Sequence, residues 1–194
     1  MLHLFKLINT IDNNDTLTIF IDADDYKDGV VQYLGLTFEN GDIRQQKNQK
    51  LRLIEPDADE LDVPDVQFAS VLTLPSTDFQ KIVRDLSVIS DVIEISSVAS
   101  ENGAELIFKC VGNFAEAEVR RAEVEGAMTY VCRQDDNTII QGRFSLKNLS
   151  YFIKCTNLCS HIEMYLENNL PLVVMYHVAS LGHIKLCLAA LPST

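Results

Sequence analysis

Positive charge is scarce in this chain: 16 Lys and Arg stand against 28 Asp and Glu, a formal net charge of −12. That balance excludes a protein wrapped in nucleic acid over its whole surface, which takes a basic domain, but it leaves room for a local basic face. Paired cysteines are also missing. The five cysteines (Cys110, Cys132, Cys155, Cys159, Cys187) are odd in number and none stands in a C-x-x-C spacing. Reduced thiols in an intracellular protein are therefore expected. The most apolar region, 170–191, is interrupted by His177, Ser180, Gly182, His183 and Lys185, so it does not read as a membrane span and no membrane partner is expected. The opening MLHLFKLINT is too short and too broken by His3 and Lys6 to read as a secretion signal. Neither a phosphate-binding P-loop nor a G-x-G-x-x-G turn occurs, which leaves nucleotide chemistry without a motif. Cys155, Cys159 and His161 lie close in sequence, yet they show neither metal-ligand spacing nor a nucleophile–base–orienter pattern. No catalytic residue, metal or cofactor is assigned, and the chain is read as a non-enzyme.

What the chain does have is a repeat. The stretch STDFQKIVRDLS sets Phe79, Ile82, Val83 and Leu86 at i, i+3, i+4 and i+7, the apolar stripe of a helix. Turning about 100° per residue puts Lys81 and Arg84 near the opposite pole, with Asp78 and Asp85 to one flank. Pro75-Ser76-Thr77 supplies the start signal. A second helix reads from Ser145 to Cys155, with Leu146, Leu149, Phe152 and Ile153 inward and Lys147 and Lys154 outward. A third opens the chain, with Leu4, Leu7, Ile8 and Ile11 inward and Lys6 outward. Together these helices hold five cations and two acids, the reverse of the whole chain's balance.

Three strand-like runs follow each helix: 16–22, 30–39 and 43–55; then 92–97, 103–111 and 115–124; then 161–168, 171–178 and 183–191. The second and third helices also follow a strand, ASVLTL and TIIQGRF. The unit is strand, helix, three strands, and the first copy lacks its leading strand. An α+β fold is expected, with antiparallel sheets outside and helices lining one face. Residues 1–55 read as a partial first domain, 56–66 as a connecting loop and 67–194 as a second domain. The connector EPDADELDVPD is acidic and punctuated by proline. Composition alone reads it as a solvated link, while Leu61 and Val63 within it offer apolar side chains for docking.

Four segments carry a family likeness: LTLPSTDFQKIVRDLSVISDVIEIS, LRLIEPDADELDVPD, FSLKNLSYFIKCTNLCSHIEMYL and LPLVVMYHVASLGHIKLCLA. In order and spacing the chain resembles the eukaryotic-type DNA sliding clamp, proliferating cell nuclear antigen (PCNA), from late in that family's first domain to its end. The resemblance implies a homotrimeric ring closed head to tail, with helices lining the hole and sheets outside. Duplex DNA would thread the hole without sequence preference. Carried over by position, the DNA-facing residues are Lys6, Lys81, Arg84, Lys147 and Lys154, the set that periodicity also places outward. The resemblance also implies a pocket for clamp-binding peptides of DNA polymerases and other replication and repair partners. It would be formed by Leu61, Val63, Pro64, Pro171, Cys187, Ala189 and Ala190, although the family carries an aromatic at the position of Cys187 and a proline at that of Ala190. Arg120 falls near a position where the family has a modifiable lysine, so that regulation is not expected.

Across the implied subunit boundary, the strand holding Arg44, Lys47 and Lys50 would meet the one holding Glu116, Glu118 and Glu123, with charge complementarity. A clamp loader and a nuclear location, or a viral replication site, complete what the resemblance implies. Roughly the first half of the family's first domain, with one hole-lining helix, has no counterpart in these 194 residues. A half-domain would leave apolar surface uncovered. The reading from this likeness is a processivity factor, and its rival is a clamp-derived interaction scaffold that no longer encircles DNA.

Overall fold

Every strand ladder in the protein is antiparallel, so the connections can be short and one sheet face can stay wet. The computed structural model describes residues 2–27, 29–54, 66–101 and 103–192. The chain divides into two units, Met1–Pro64 and Asp65–Thr194.

The first unit contains helix α1 (Leu2–Ile8), β1 (Asp15–Phe20), a 3-10 turn (Ala23–Asp25), the two-residue strands β2 (Tyr26–Lys27) and β3 (Val30–Val31), then β4 (Tyr33–Asn40) and β5 (Gln45–Arg52). The main sheet runs β1-β4-β5. Three boundaries differ from the periodicity reading. The helix stops at Ile8, not Ile11, because Thr10 and Ile11 donate to carbonyls only three residues back and the Thr10 hydroxyl donates to Leu7 O. The strand expected over 30–39 breaks at Gln32, which donates its N–H to Asp25. The strand expected from 43 starts at Gln45, since Arg44 adopts φ 52° in the turn before it. The core here is thin. Leu36 and Phe38 are the buried large apolar side chains, while Phe5, Ile19, Phe20, Ile21, Tyr26, Val30, Ile43, Leu53 and Ile54 are exposed.

The second unit contains two full copies of the repeat. One is β6 (Ser70–Pro75), α2 (Ser76–Ser87), β7 (Val92–Ser100), β8 (Gly103–Val111) and β9 (Glu116–Ala122). After β10 (Thr129–Cys132) comes the other: β11 (Ile139–Ser145), α3 (Leu146–Phe152), a 3-10 segment (Ile153–Leu158), β12 (His161–Leu166), β13 (Leu172–Val178), a second 3-10 turn (Ala179–Leu181) and β14 (Gly182–Leu188). The copies do not pack as separate strand–helix–strands blocks. Sheet order is β10-β6-β12-β13-β14 and β11-β7-β8-β9, so each leading strand crosses into the sheet of the other copy. A repeat in sequence shows what recurs, whereas strand partners are set by non-local pairing.

Residue alternation supplies the core. Leu72 and Leu74 on β6 and Ala104, Leu106, Phe108 and Cys110 on β8 point inward, under Phe79, Ile82, Val83 and Leu86 of α2. A buried polar junction ties the two sheets: Ser70 Oγ donates to Ser97 Oγ (3.0 Å), which also meets the Tyr130 hydroxyl (2.9 Å), while Gln134 Nε2 donates to Ser97 O (2.8 Å). Satisfied buried hydrogen bonds of this kind cost little when complete and much when one member is removed. The start of α2 differs from the capping signal read in the sequence. No side chain caps it. Instead Ser76 Oγ donates to Cys159 O (2.6 Å) and its N–H to Ser160 O (2.9 Å), which ties α2 to the end of the 3-10 segment after α3.

Phe79 is fully buried at the centre of this core. Phe79→Ala should lower unfolding stability by about 3–5 kcal/mol, read as a drop in the denaturant midpoint at unchanged slope.

Candidate nucleic-acid face and docking edges

The rotation of α2 is fixed by burial of Phe79, Ile82, Val83 and Leu86, and this turns Lys81 and Arg84 into solvent. Asp78 is drawn aside by Arg121 of β9 (3.2 Å). One of the two acids on the helix is thus neutralised from the sheet, and the exposed side reads as net positive. On α3, Leu146, Leu149 and Phe152 face inward and Lys147 is exposed. The α-helix ends at Phe152, short of the Cys155 limit read from the sequence, and continues as 3-10 turns. Lys154 lies on that continuation, exposed, with Nζ 4.8 Å from the Tyr151 ring centroid. The helices are neighbours, with Gln80 Nε2 of α2 donating to Ile153 O (3.2 Å). Among the described residues, Lys81, Arg84, Lys147 and Lys154 enter no ion pair, so their charge is available to a ligand. In the first unit Lys6 is exposed, while Leu4, Leu7 and Ile8 are only half-buried.

The docking residues fall into two groups. Leu61, Val63 and Pro64 lie outside the described residues. Pro171, Cys187, Ala189 and Ala190 are all exposed, and the Leu172–Leu188 cross-strand pair sets Pro171 beside Ala189 at one end of the β13–β14 ladder. Ala190 and Leu191 line a groove with Gly142, Asn168 and Asn169 along β11. Leu191 N–H donates to Arg143 O (2.7 Å), and Asn168 covers the same strand edge through Ile139 O and Gln141 N–H.

β5 and β9 are each at the edge of a sheet. Four of the six charged residues read there are already engaged. Lys50 pairs with Asp25 (2.6 Å), a hydrogen bond that raises the lysine pKa. Lys47 donates to Thr10 Oγ1 (2.7 Å) and lies 5.3 Å from the Phe38 ring centroid. Three residues apart on one strand, the two lysines occupy opposite faces. Glu118 pairs with Arg120 (2.6 Å), and Glu123 accepts from Tyr130 N–H (3.0 Å). Arg44 and Glu116 are exposed.

Residue periodicity did not single out three exposed apolar residues at the end of α2 and around the β8–β9 turn. Val88, Val111 and Phe114 are exposed by 75%, 63% and 76%. The segment after α2 reaches the β8–β9 turn: Ser90 Oγ donates to Val111 O (2.9 Å), and Gly112 lies against Ile89, where an added Cβ would sit 1.8 Å from the carbonyl oxygen. The signal in the sequence was a phenylalanine in the polar turn GNFAE.

The Cys155–Cys159–His161 stretch is structural. Both thiols pack against the core, Cys159 Sγ donates to His161 O (2.9 Å), and burial, then the neighbouring Cys159, raises the Cys155 pKa. Among the described residues no group of three or more His, Cys, Asp or Glu could hold a metal, and no helix is long and apolar enough to cross a membrane.

The family description "Proliferating cell nuclear antigen, C-terminal domain" matches residues 62–191. The chain is 28% identical over 193 residues to "Probable DNA polymerase sliding clamp 1" of Paramecium bursaria Chlorella virus 1, covering 100% of this chain and 71% of that protein. The chain belongs to the proliferating cell nuclear antigen family of sliding clamps.

Cys132 and Cys187 are exposed, whereas Cys110 is buried and its pKa is raised by that burial. Iodoacetamide should label Cys132 and Cys187 well before Cys110 in the native protein, read by peptide mass spectrometry. Simultaneous labelling of Cys110 would contradict the packing of β8 under α2.

Proposed function

We propose that the protein is a processivity factor that encircles duplex DNA and tethers a DNA polymerase. The observation that carries this reading is the segregation of unpaired Lys81, Arg84, Lys147 and Lys154 onto adjacent helices of a chain with net charge −12. Lys and Arg attract phosphates of any sequence, read no base edges, and release counterions when they bind. Such contacts hold a duplex loosely enough to slide. Lys6 joins this set on the family resemblance.

Ring closure is proposed through the edge of β5 in one copy and the edge of β9 in the next, as a homotrimer. Val88 and Phe114 supply apolar area beside the latter edge, with Arg44 and Glu116 as the remaining free charges. Clamp-binding peptides of polymerases and other replication and repair proteins would dock at Pro171, Cys187, Ala189 and Ala190 together with Leu61, Val63 and Pro64. A clamp loader would open the ring. No chemistry by the protein itself is invoked, and its place of action is a nuclear or viral replication site.

A second reading is an interaction scaffold that forms no ring. It is favoured by the first unit's thin core and, among the described residues, its nine exposed large apolar side chains. Light scattering separates the two, since a ring has three times the 21.8 kDa subunit mass and a scaffold has no such stable species.

Reversing charge at Lys81, Arg84 and Lys154 together should abolish polymerase stimulation and flatten the salt dependence of duplex binding by roughly one unit of slope per lost cation. Unchanged stimulation would sink the clamp reading. Under the scaffold reading, Leu61→Ser with Val63→Ser should remove peptide binding while the charge reversals matter little; peptide binding that survives both serines would leave that account without a site.

A further inference from the structure

One side chain on the cationic face brings no charge to phosphates. Tyr151 lies on the outer side of α3, one helical turn after Lys147, and is 55% exposed. A large aromatic held in water at a helix surface gains nothing from burial. Its neighbours are cations: Lys147 at i−4, on the same face, and Lys154, whose ammonium lies 4.8 Å from the ring centroid. That cation–π contact restrains the ring and presents it together with positive charge. No acidic residue enters this stripe within α3 or the 3-10 segment that follows it.

Along an intact duplex Lys147 and Lys154 can meet phosphates, but the ring finds no base to stack on, because paired bases are stacked on one another. An unpaired base does. Cations tracking the backbone beside an aromatic ring are the two components by which proteins hold single strands without sequence preference, and stacking of one base on one ring is the sequence-tolerant part.

We infer that Tyr151, flanked by Lys147 and Lys154, is a stacking platform for an unpaired base, so that this face binds a duplex carrying a single-stranded extension more tightly than a blunt duplex. The inference rests on the reading of α2 and α3 as the nucleic-acid face. It adds to that reading a preference for junctions between double and single strands. The stacking partner is the exposed base and not the phosphate, so the phenol ring is what matters and its hydroxyl is dispensable.

The test uses the full chain and fluorescence anisotropy with two labelled DNAs, a blunt duplex and the same duplex bearing a single-stranded extension. The wild-type protein should favour the extended DNA by roughly ten-fold, the scale of one stacked base. Tyr151→Ala should lose that preference and keep its affinity for the blunt duplex, while Tyr151→Phe should keep both. The exposure of Tyr151 makes all three proteins foldable, which circular dichroism checks. A wild-type protein that binds both DNAs equally overturns the inference, as does an alanine variant that retains the preference. A phenylalanine variant that loses it assigns the effect to a hydroxyl–phosphate contact and also overturns it. Failure of the wild-type protein to bind either DNA overturns the underlying nucleic-acid reading, a result distinct from binding without preference.

Discussion

The exchange of leading strands between the two repeat copies is the constraint on which the second unit depends. β6 belongs to the sheet of the later copy and β11 to that of the earlier one. Each helix must therefore leave one sheet and deliver the chain to the other. α2 and α3 are left side by side with their apolar stripes facing a common core, and Ser76 and Gln80 bind the two segments directly. Once both stripes are buried, the outward sides have no freedom. Lys81, Arg84, Lys147 and Lys154 share the solvent side because Phe79, Leu86, Leu146 and Phe152 share the core.

Charge distribution follows from that geometry and is refined by it. An acidic chain would repel DNA over most of its surface, and like-sign repulsion away from one face helps to orient a polyanion. The ion pair between Arg121 and Asp78 sharpens the contrast, as it removes an acid from the helix that carries the central cations. Elsewhere a few carboxylates are paired, such as Glu118 with Arg120 and Asp25 with Lys50. These exposed pairs contribute little stability each. Their effect is on where the remaining charge is left free.

The first unit obeys the same pattern with less material. Its helix α1 and sheet β1-β4-β5 follow the order of the latter part of one repeat copy, and among the described residues its buried large apolar side chains are Leu36 and Phe38. Ile19 and Ile54 are exposed.

Local periodicity determined much of this protein. The stripe of α2, the alternation of β6 and β8 and the outward position of Lys81 and Arg84 follow from 3.6- and 2-residue spacing, because burial acts on faces that the backbone repeat defines. Helix ends were less readable. α1 and α3 stop early where backbone N–H groups turn to carbonyls three residues back or the helix tightens into 3-10 turns, and no side-chain pattern marks that. The segments 55–65, which hold Leu61, Val63 and Pro64, stand on sequence reading alone. Only the tertiary structure decided which strand joins which sheet, that Lys47 and Lys50 are engaged within their own unit, that the segment after α2 meets the β8–β9 turn, and that Tyr151 lies under Lys154. Each of these is a meeting of residues distant in sequence or a choice of side-chain direction. The free energy that makes such a choice comes from partners the local sequence does not contain.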